Sequence, residues 1–304
     1  MSAEPNNPPP PAPSKAKVFV RRLSSSIALW AVILTALFSG NKLISDYFFL
    51  SIMLLLTVTG MMEFYGIVRK LGIYCFSGWG IFGGVLLVAS TFFFVSGQIR
   101  TPGLPGAVND FETGFIILFV LGLCVRQFVS HTSTKGILAI STTLLGLMYV
   151  PWLLNFLQKI TYYSPEVEGK YYLLYFILVT KLSDCGAYAV GSLIGKHKMI
   201  PRVSPGKTWE GFGGAVVVST GASVVFWLLG GKHLQGMTLI HSVILGVLLS
   251  VAAVIGDLIE SIFKREAGLK DSGRLFPGIG GILDLLDSLL FNAPLMYLYL
   301  RLLL

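Results

Sequence analysis

Runs of about 20 apolar residues recur almost from end to end of this chain, and that repetition limits what it can fold into. In hydrocarbon, every backbone N–H and C=O has to be satisfied within the protein, so such runs are read as membrane-spanning helices. Candidate spans fall at residues 24–40, 46–63, 73–96, 113–130, 136–158, 171–195, 209–230, 238–256 and 281–303. Composition agrees. The chain is 54% apolar and 12% charged, against about 25% charged in a typical soluble domain. The expected fold class is all-α: a polytopic helical membrane protein with about nine transmembrane helices.

The connections between these runs alternate in charge. Basic ones are the N-terminal tail, the Arg69-Lys70 turn, the Arg126 to Lys135 region, 196–208 and 257–280, while 41–45, 97–112, 159–170 and 231–237 are poor in Lys and Arg. By the positive-inside rule the N-terminus and the two most charged loops face the cytoplasm, and with nine spans the C-terminus lies outside. The net charge of +8 then reflects topology, with no nucleic-acid partner implied. Residues 1–16, MSAEPNNPPPPAPSKA, are polar and Pro-rich, and residues 1–23 are expected to form a disordered basic tail. No clean small-residue cleavage site follows, so the first apolar run reads as an uncleaved helix. Residues 24–170 then form an N-terminal set of transmembrane helices and 171–304 a C-terminal, catalytic set. Cys75, Cys124 and Cys185 lie in or near apolar runs without CxxC or Cys/His spacing, which excludes a recognisable disulfide or zinc framework. The frequent glycines, GFGG at 211–214 among them, read as sites of close helix approach in lipid.

Charge collects in two segments, KLSDCGAYAVGSLIGKHKMIPRVSPGKTWEG at 181–211 and GDLIESIFKREAGLKDSGRLFPGIGGILDLLDS at 256–288. A carboxylate in a membrane helix costs about 2.5–3.5 kcal/mol at mid-depth on insertion scales. Asp184, Asp257, Asp284 and Asp287 all sit in or beside apolar sequence. Asp284 and Asp287 are three apart, hence on one face of a helix, and like charges so close repel unless a cation lies between them. A Mg²⁺ held by a few carboxylates plus substrate phosphates would resolve this, with Asp257 completing the cluster. Pairing with Lys264, Arg265 or Lys270, or solvation in a helix's first turn, is the structural alternative. Lys264, Arg265, Lys270 and Arg274 alternate with these acids, and Lys196, Lys198, Arg202 and Lys207 fill the other loop. Such residues suit phosphate binding, although cytoplasmic loops are basic in any case. Ser204-Pro-Gly-Lys-Thr208 has the look of a rigid turn.

Other patterns carry nothing. Gly206-Lys-Thr lacks the upstream glycine of a P-loop, since position 201 is Pro. PGIGG is not a dinucleotide fingerprint, and the four histidines have no ligand spacing. Glu63, in MMEFYG at the end of the second span, reads equally as a helix-end charge or as a buried site residue. The residues themselves thus point to a metal-dependent, phosphate-handling site at the cytoplasmic face, with a lipid substrate.

Ser261-Ile-Phe-Lys264-Arg265, then Lys270-Asp271, FPGIGG and Asp284 resemble the signature of the CDP-diacylglycerol synthase (phosphatidate cytidylyltransferase) family. DCGAYAVGSLIGKHKMIPRVSPGKTWEG is similar to that family's other characteristic stretch, and Glu63-Phe-Tyr65 to a weaker N-terminal one. The strong motifs cover about 181–288. Two departures stand out: Ile279 where the family usually has His, and Leu285 where it usually has Arg. The resemblance implies transfer of CMP from CTP to phosphatidate, giving CDP-diacylglycerol and pyrophosphate in phospholipid biosynthesis. It implies Asp257, Asp284 and Asp287 as metal ligands for Mg²⁺, with a monovalent cation such as K⁺ as a second ion. Lys264, Arg265 and Lys270 would hold the triphosphate or lipid phosphate, Ser261 and Asp271 would orient groups, and Asp184, Ser204, Lys207 and Glu210 would form the facing, substrate-binding wall. A bacterial-type inner membrane, a cytoplasmic active site and a homodimer complete the expectation. Competing readings are an inactive or altered-substrate relative, a CDP-alcohol phosphotransferase, whose aspartate spacing is missing, and an ion-coupled transporter, which would favour mid-span acids in two related halves.

Overall fold

The computed structural model describes residues 15–38, 40–98, 107–130, 135–163, 168–273 and 280–304. Among them the chain forms ten α-helices: α1 (Lys15–Phe38), α2 (Lys42–Lys70), α3 (Ser77–Val95), α4 (Ala107–Val129), α5 (Gly136–Leu147), α6 (Leu153–Thr161), α7 (Gly169–Ile194), α8 (Trp209–Gly230), α9 (Leu239–Glu266) and α10 (Ile282–Leu303). A short antiparallel hairpin, β1 (Lys198–Ile200) and β2 (Ser204–Thr208), joins α7 to α8. Eight stretches are long and apolar enough to cross a membrane, α5 and α6 counting as one through the π-turn Met148–Trp152. The protein is an all-α polytopic membrane protein, as its apolar runs require. The first expected span lies on α1, which is not among the eight. Helix α1 also takes in residues 15–23 of the expected tail; the rest of that tail lies outside the described residues.

Several helices run past their expected ends. Helix α9 continues to Glu266, so Asp257, Ser261, Lys264 and Arg265 stand on a helix and not in a connection. The segment DLIESIFKRE places Glu260 four residues ahead of Lys264, a pairing that supports a helix beyond the apolar limit. Helix α2 likewise reaches Lys70, leaving Glu63 two turns inside its end. Ser204-Pro-Gly-Lys-Thr208, expected as a turn, is the returning strand β2; the reversal falls at Pro201–Val203. Starts are set by side-chain caps: Asn41 accepts from the amides of Leu43 and Ile44, Thr208 from Gly211, and Thr238 from His241.

Polar residues tie the helices together where lipid offers no hydrophobic drive. Ser219 Oγ, on α8, donates to Val179 O or Gly246 O, both at 3.2 Å. Asn292 Nδ2, on α10, donates to Thr180 Oγ1 and Leu249 O at 3.1 and 2.8 Å. Helices α7 and α8 meet at Gly186 and Gly214, where a Cβ on Gly186 would sit 2.7 Å from Gly214 O. Gly211 and Gly214 of GFGG thus serve the close approach expected of the motif, while Gly213 faces open space. A second polar cluster lies near the far end of the bundle. Lys159 on α6 pairs with Glu112 on α4 at 2.5 Å, both almost fully buried, and lies over the rings of Phe156 and Tyr297.

Candidate active site

Both charged segments come together at one end of the bundle, where the last turns of α2, α7 and α9 meet the first turns of α8 and α10. Asp184 leaves α7 as that helix nears the hairpin. It lines a cleft of about 410 Å³ with Ser204, Lys207, Thr208 and Asp257. Lys207 Nζ stands 2.8 Å from Asp257 Oδ2 and donates to Val254 O, which fixes β2 against α9. Ser261, one turn on from Asp257, donates to its other oxygen at 3.3 Å. Asp287, one turn into α10, accepts the amide of Ser288 and lies within electrostatic reach of Asp257 and Asp184. Three carboxylates from three helices therefore share one region, offset by Lys181 and Lys207.

Asp284 stands apart from that trio. Its Oδ1 meets Lys264 Nζ at 2.5 Å. Its Oδ2 accepts from the amides of Ser272 and Gly281 at 2.9 and 2.8 Å. Lys264 is buried between Asp284 and Glu260. Lys270 and Asp271 line a second, open cleft of about 510 Å³ with Glu63, Lys70 and Ser272. Arg265 holds this loop to the hairpin, donating to Leu269 O and Val203 O. Glu210 lies on the outer side of the hairpin, where it accepts the amides of Lys196 and His197 and meets His197 Nδ1 at 2.6 Å. Arg274 and Ile279 lie outside the described residues.

The donor chemistry suits a hard divalent cation, because Asp257, Asp284 and Asp287 offer only carboxylate oxygens. Their arrangement is looser than a preformed metal cage. Among the described residues no three acids, histidines or cysteines gather as one metal-holding group, and Lys207 and Lys264 each occupy a carboxylate. Mg²⁺ commonly takes only one or two carboxylates plus substrate phosphates, so this set fits a cation that arrives with its substrate.

Three residues escaped the sequence reading. Lys181 on α7 donates to Leu285 O and Ser288 Oγ on α10, at 2.8 and 3.0 Å. Glu260, 1% exposed, has no hydrogen bond among the described residues and lies 3.3 Å from Lys264 Nζ; its position four residues ahead of that lysine was the available signal. Ser272 bridges Glu63 and Asp284, and nothing in its sequence context marks it.

An apolar groove of about 400 Å³ meets this site. Trp30, Phe49, Met53, Ile177, Leu286 and Leu289 line it from α1, α2, α7 and α10, and Lys181 and Asp184 stand at its polar end. Asp184 thus borders both the polar cleft and the groove.

Comparison with known proteins accords with this arrangement. Residues 20–303 match the model of the cytidylyltransferase family. The chain is 35% identical to a phosphatidate cytidylyltransferase of Mycobacterium bovis over 208 residues, 66% of each chain. It has the same identity to one of Mycobacterium tuberculosis, covering 66% of this chain and 61% of that relative. With one of Staphylococcus haemolyticus it is 35% identical over 217 residues, 66% of this chain and 80% of the relative. The matched part thus spans somewhat under two thirds of the mycobacterial relatives' length. A family match running from α1 to the end of α10, with both charged segments inside it, leaves one assignment: this chain belongs to the cytidylyltransferase family.

Proposed function

We propose that this protein is a phosphatidate cytidylyltransferase, acting at the cytoplasmic face of a multi-pass membrane protein. The observation that carries the reading is the double exposure of Asp184, which borders a lysine-bearing polar cleft on one side and an apolar groove on the other. A nucleotide triphosphate suits the first, and an acyl chain beneath a phosphate suits the second. Leu285, where the family usually has arginine, lines the groove and keeps it apolar up to Lys181. The names of the relatives support the same substrates.

The chemistry asked of the site is modest. A phosphate oxygen of phosphatidate attacks the α-phosphorus of CTP, a new P–O bond forms, the bond from that phosphorus to the β-phosphate bridging oxygen breaks, and pyrophosphate leaves with its electrons. The nucleophile is already an anion, so no strong base is required. Positioning and charge neutralisation dominate such transfers. Lys207 and Ser204 would hold the nucleotide phosphates in the cleft, with Lys264, Arg265 and Lys270 adding positive charge from outside its lining. Lys181 would face the lipid phosphate. Asp257, Asp284 and Asp287 would hold Mg²⁺. When bound, Mg²⁺ supplies charge neutralisation on the phosphates.

The test uses purified protein in detergent–phosphatidate micelles with radiolabelled CTP, with and without Mg²⁺, followed by lipid extraction. Label in the organic phase only with Mg²⁺ is expected. No label under any cation, from protein shown to be folded, overturns the activity and moves weight to an altered-substrate or inactive relative.

A further inference from the structure

The first turn of α10 carries Asp284 and leads to Asp287, yet its N-cap, Gly281, has no side chain with which to cap it. A helix start leaves four amides without intrahelical partners, and here all four are satisfied, three of them from outside the helix. The Gly281 amide donates to Asp284 Oδ2 at 2.8 Å. The Ile282 amide donates to Glu63 Oε1 at 3.0 Å and the Leu283 amide to Glu63 Oε2 at 2.9 Å. The Asp284 amide donates to Ser272 Oγ at 3.3 Å. Glu63 belongs to α2, more than 200 residues away in sequence. Ser272 Oγ lies 2.9 Å from both Glu63 Oε2 and Asp284 Oδ2, and its single hydrogen serves one of them at a time.

Two glycines make room for this contact. A Cβ on Gly273 or on Gly281 would collide with the Glu63 carboxylate. The negative charge also lies where the α10 dipole favours an anion. With Oδ2 of Asp284 committed to the loop, Oδ1 is the oxygen left facing Lys264. Glu63 thus touches the first turn of α10 directly, meets Asp284 only through Ser272, and lines the same cleft as Lys270 and Asp271.

We propose that Glu63 is a positioning residue of the reaction: a cap supplied by α2 that sets α10 and the charged loop in the orientation the transfer needs. The proposal rests on the cytidylyltransferase reading for its kinetic arm only. Glu63→Gln keeps the shape but removes the charge and turns one acceptor into a donor that faces amides. Displacement of reacting groups by about 1 Å costs on the order of 100-fold in rate. Glu63→Gln is expected to lower kcat by about 10–100-fold, with KM for CTP and phosphatidate changed less than about threefold. Glu63→Asp, too short to reach both amides, is expected to fall between Gln and the parent.

Hydrogen–deuterium exchange on the full chain in detergent supplies the second arm. Faster exchange at Ile282 and Leu283 in Glu63→Gln, with α7 and α8 unchanged, is expected. Unchanged protection at those amides overturns the cap, whatever the activity. Lost protection with unchanged kcat overturns the positioning role. A parent protein that makes no CDP-diacylglycerol refutes the proposed function while leaving the exchange result to decide the cap.

Discussion

Asp257 and Asp287 face opposite fates in their surroundings. Asp257 has a lysine at 2.8 Å. Asp287 has one backbone amide and the repulsion of its neighbours, eased at a distance by Lys181 and Lys264. A carboxylate left so under-neutralised is the one that gains most from a cation. Asp287→Asn is therefore expected to cut transfer by about 100-fold or more, read as label reaching the organic phase; full activity in that variant removes the metal-site proposal. The sequence identified these acids correctly as residues out of place in lipid. It could not divide them, because spacing puts Asp284 and Asp287 on one face, whereas only the fold shows Lys264, Ser272 and Gly281 drawing Asp284 away. Glu260 and Lys181 did carry a signal, a helical spacing to an opposite charge, but that spacing reads as an ordinary surface pair.

Among the elements, α7 and α8 are the closest partners, and their contact is backbone on backbone. The Gly186–Gly214 crossing leaves no volume for a side chain, so Gly214→Val forces the two helices apart. A loss of about 1–3 kcal/mol is expected, measured as a lower Tm in detergent. Activity is expected to fall as well, since the hairpin bearing Ser204 and Lys207 hangs from these two helices. Helix existence was legible from apolar runs alone, while helix ends were not. Hydropathy stops at residue 256, but α9 goes on for ten residues because charge pairing takes over from lipid as its support. The hairpin was hidden by Pro205 and Gly206, which read as turn residues and here stand in an isolated two-stranded ribbon.

Across the whole molecule, the site end is rich in exchangeable charge and the opposite end is locked. Glu112, Lys159, Asn155 and Thr91 form a buried network spanning α3, α4 and α6. Removing one partner leaves the other charged and buried. Lys159→Met is expected to lower stability by about 3–5 kcal/mol, seen as a fall in Tm, with KM for both substrates unchanged because the pair lies at the other end of α10 from Asp284. An equal loss of substrate affinity would show that the two ends are coupled. This pair is not legible in the sequence, since a lone Glu and a lone Lys on different helices carry no spacing.

The reach of Glu63 across the chain also bears on how the protein is made. Its acceptors meet amides 219 and 220 residues further on. During synthesis, α2 enters the membrane long before α10 exists, and for that interval its carboxylate waits without the partners it will hold. A chain released before the last span inserts would lack the Asp284 turn and would also leave that acid unsatisfied. The contact that closes the site end of the bundle can therefore form only after the last span is in place.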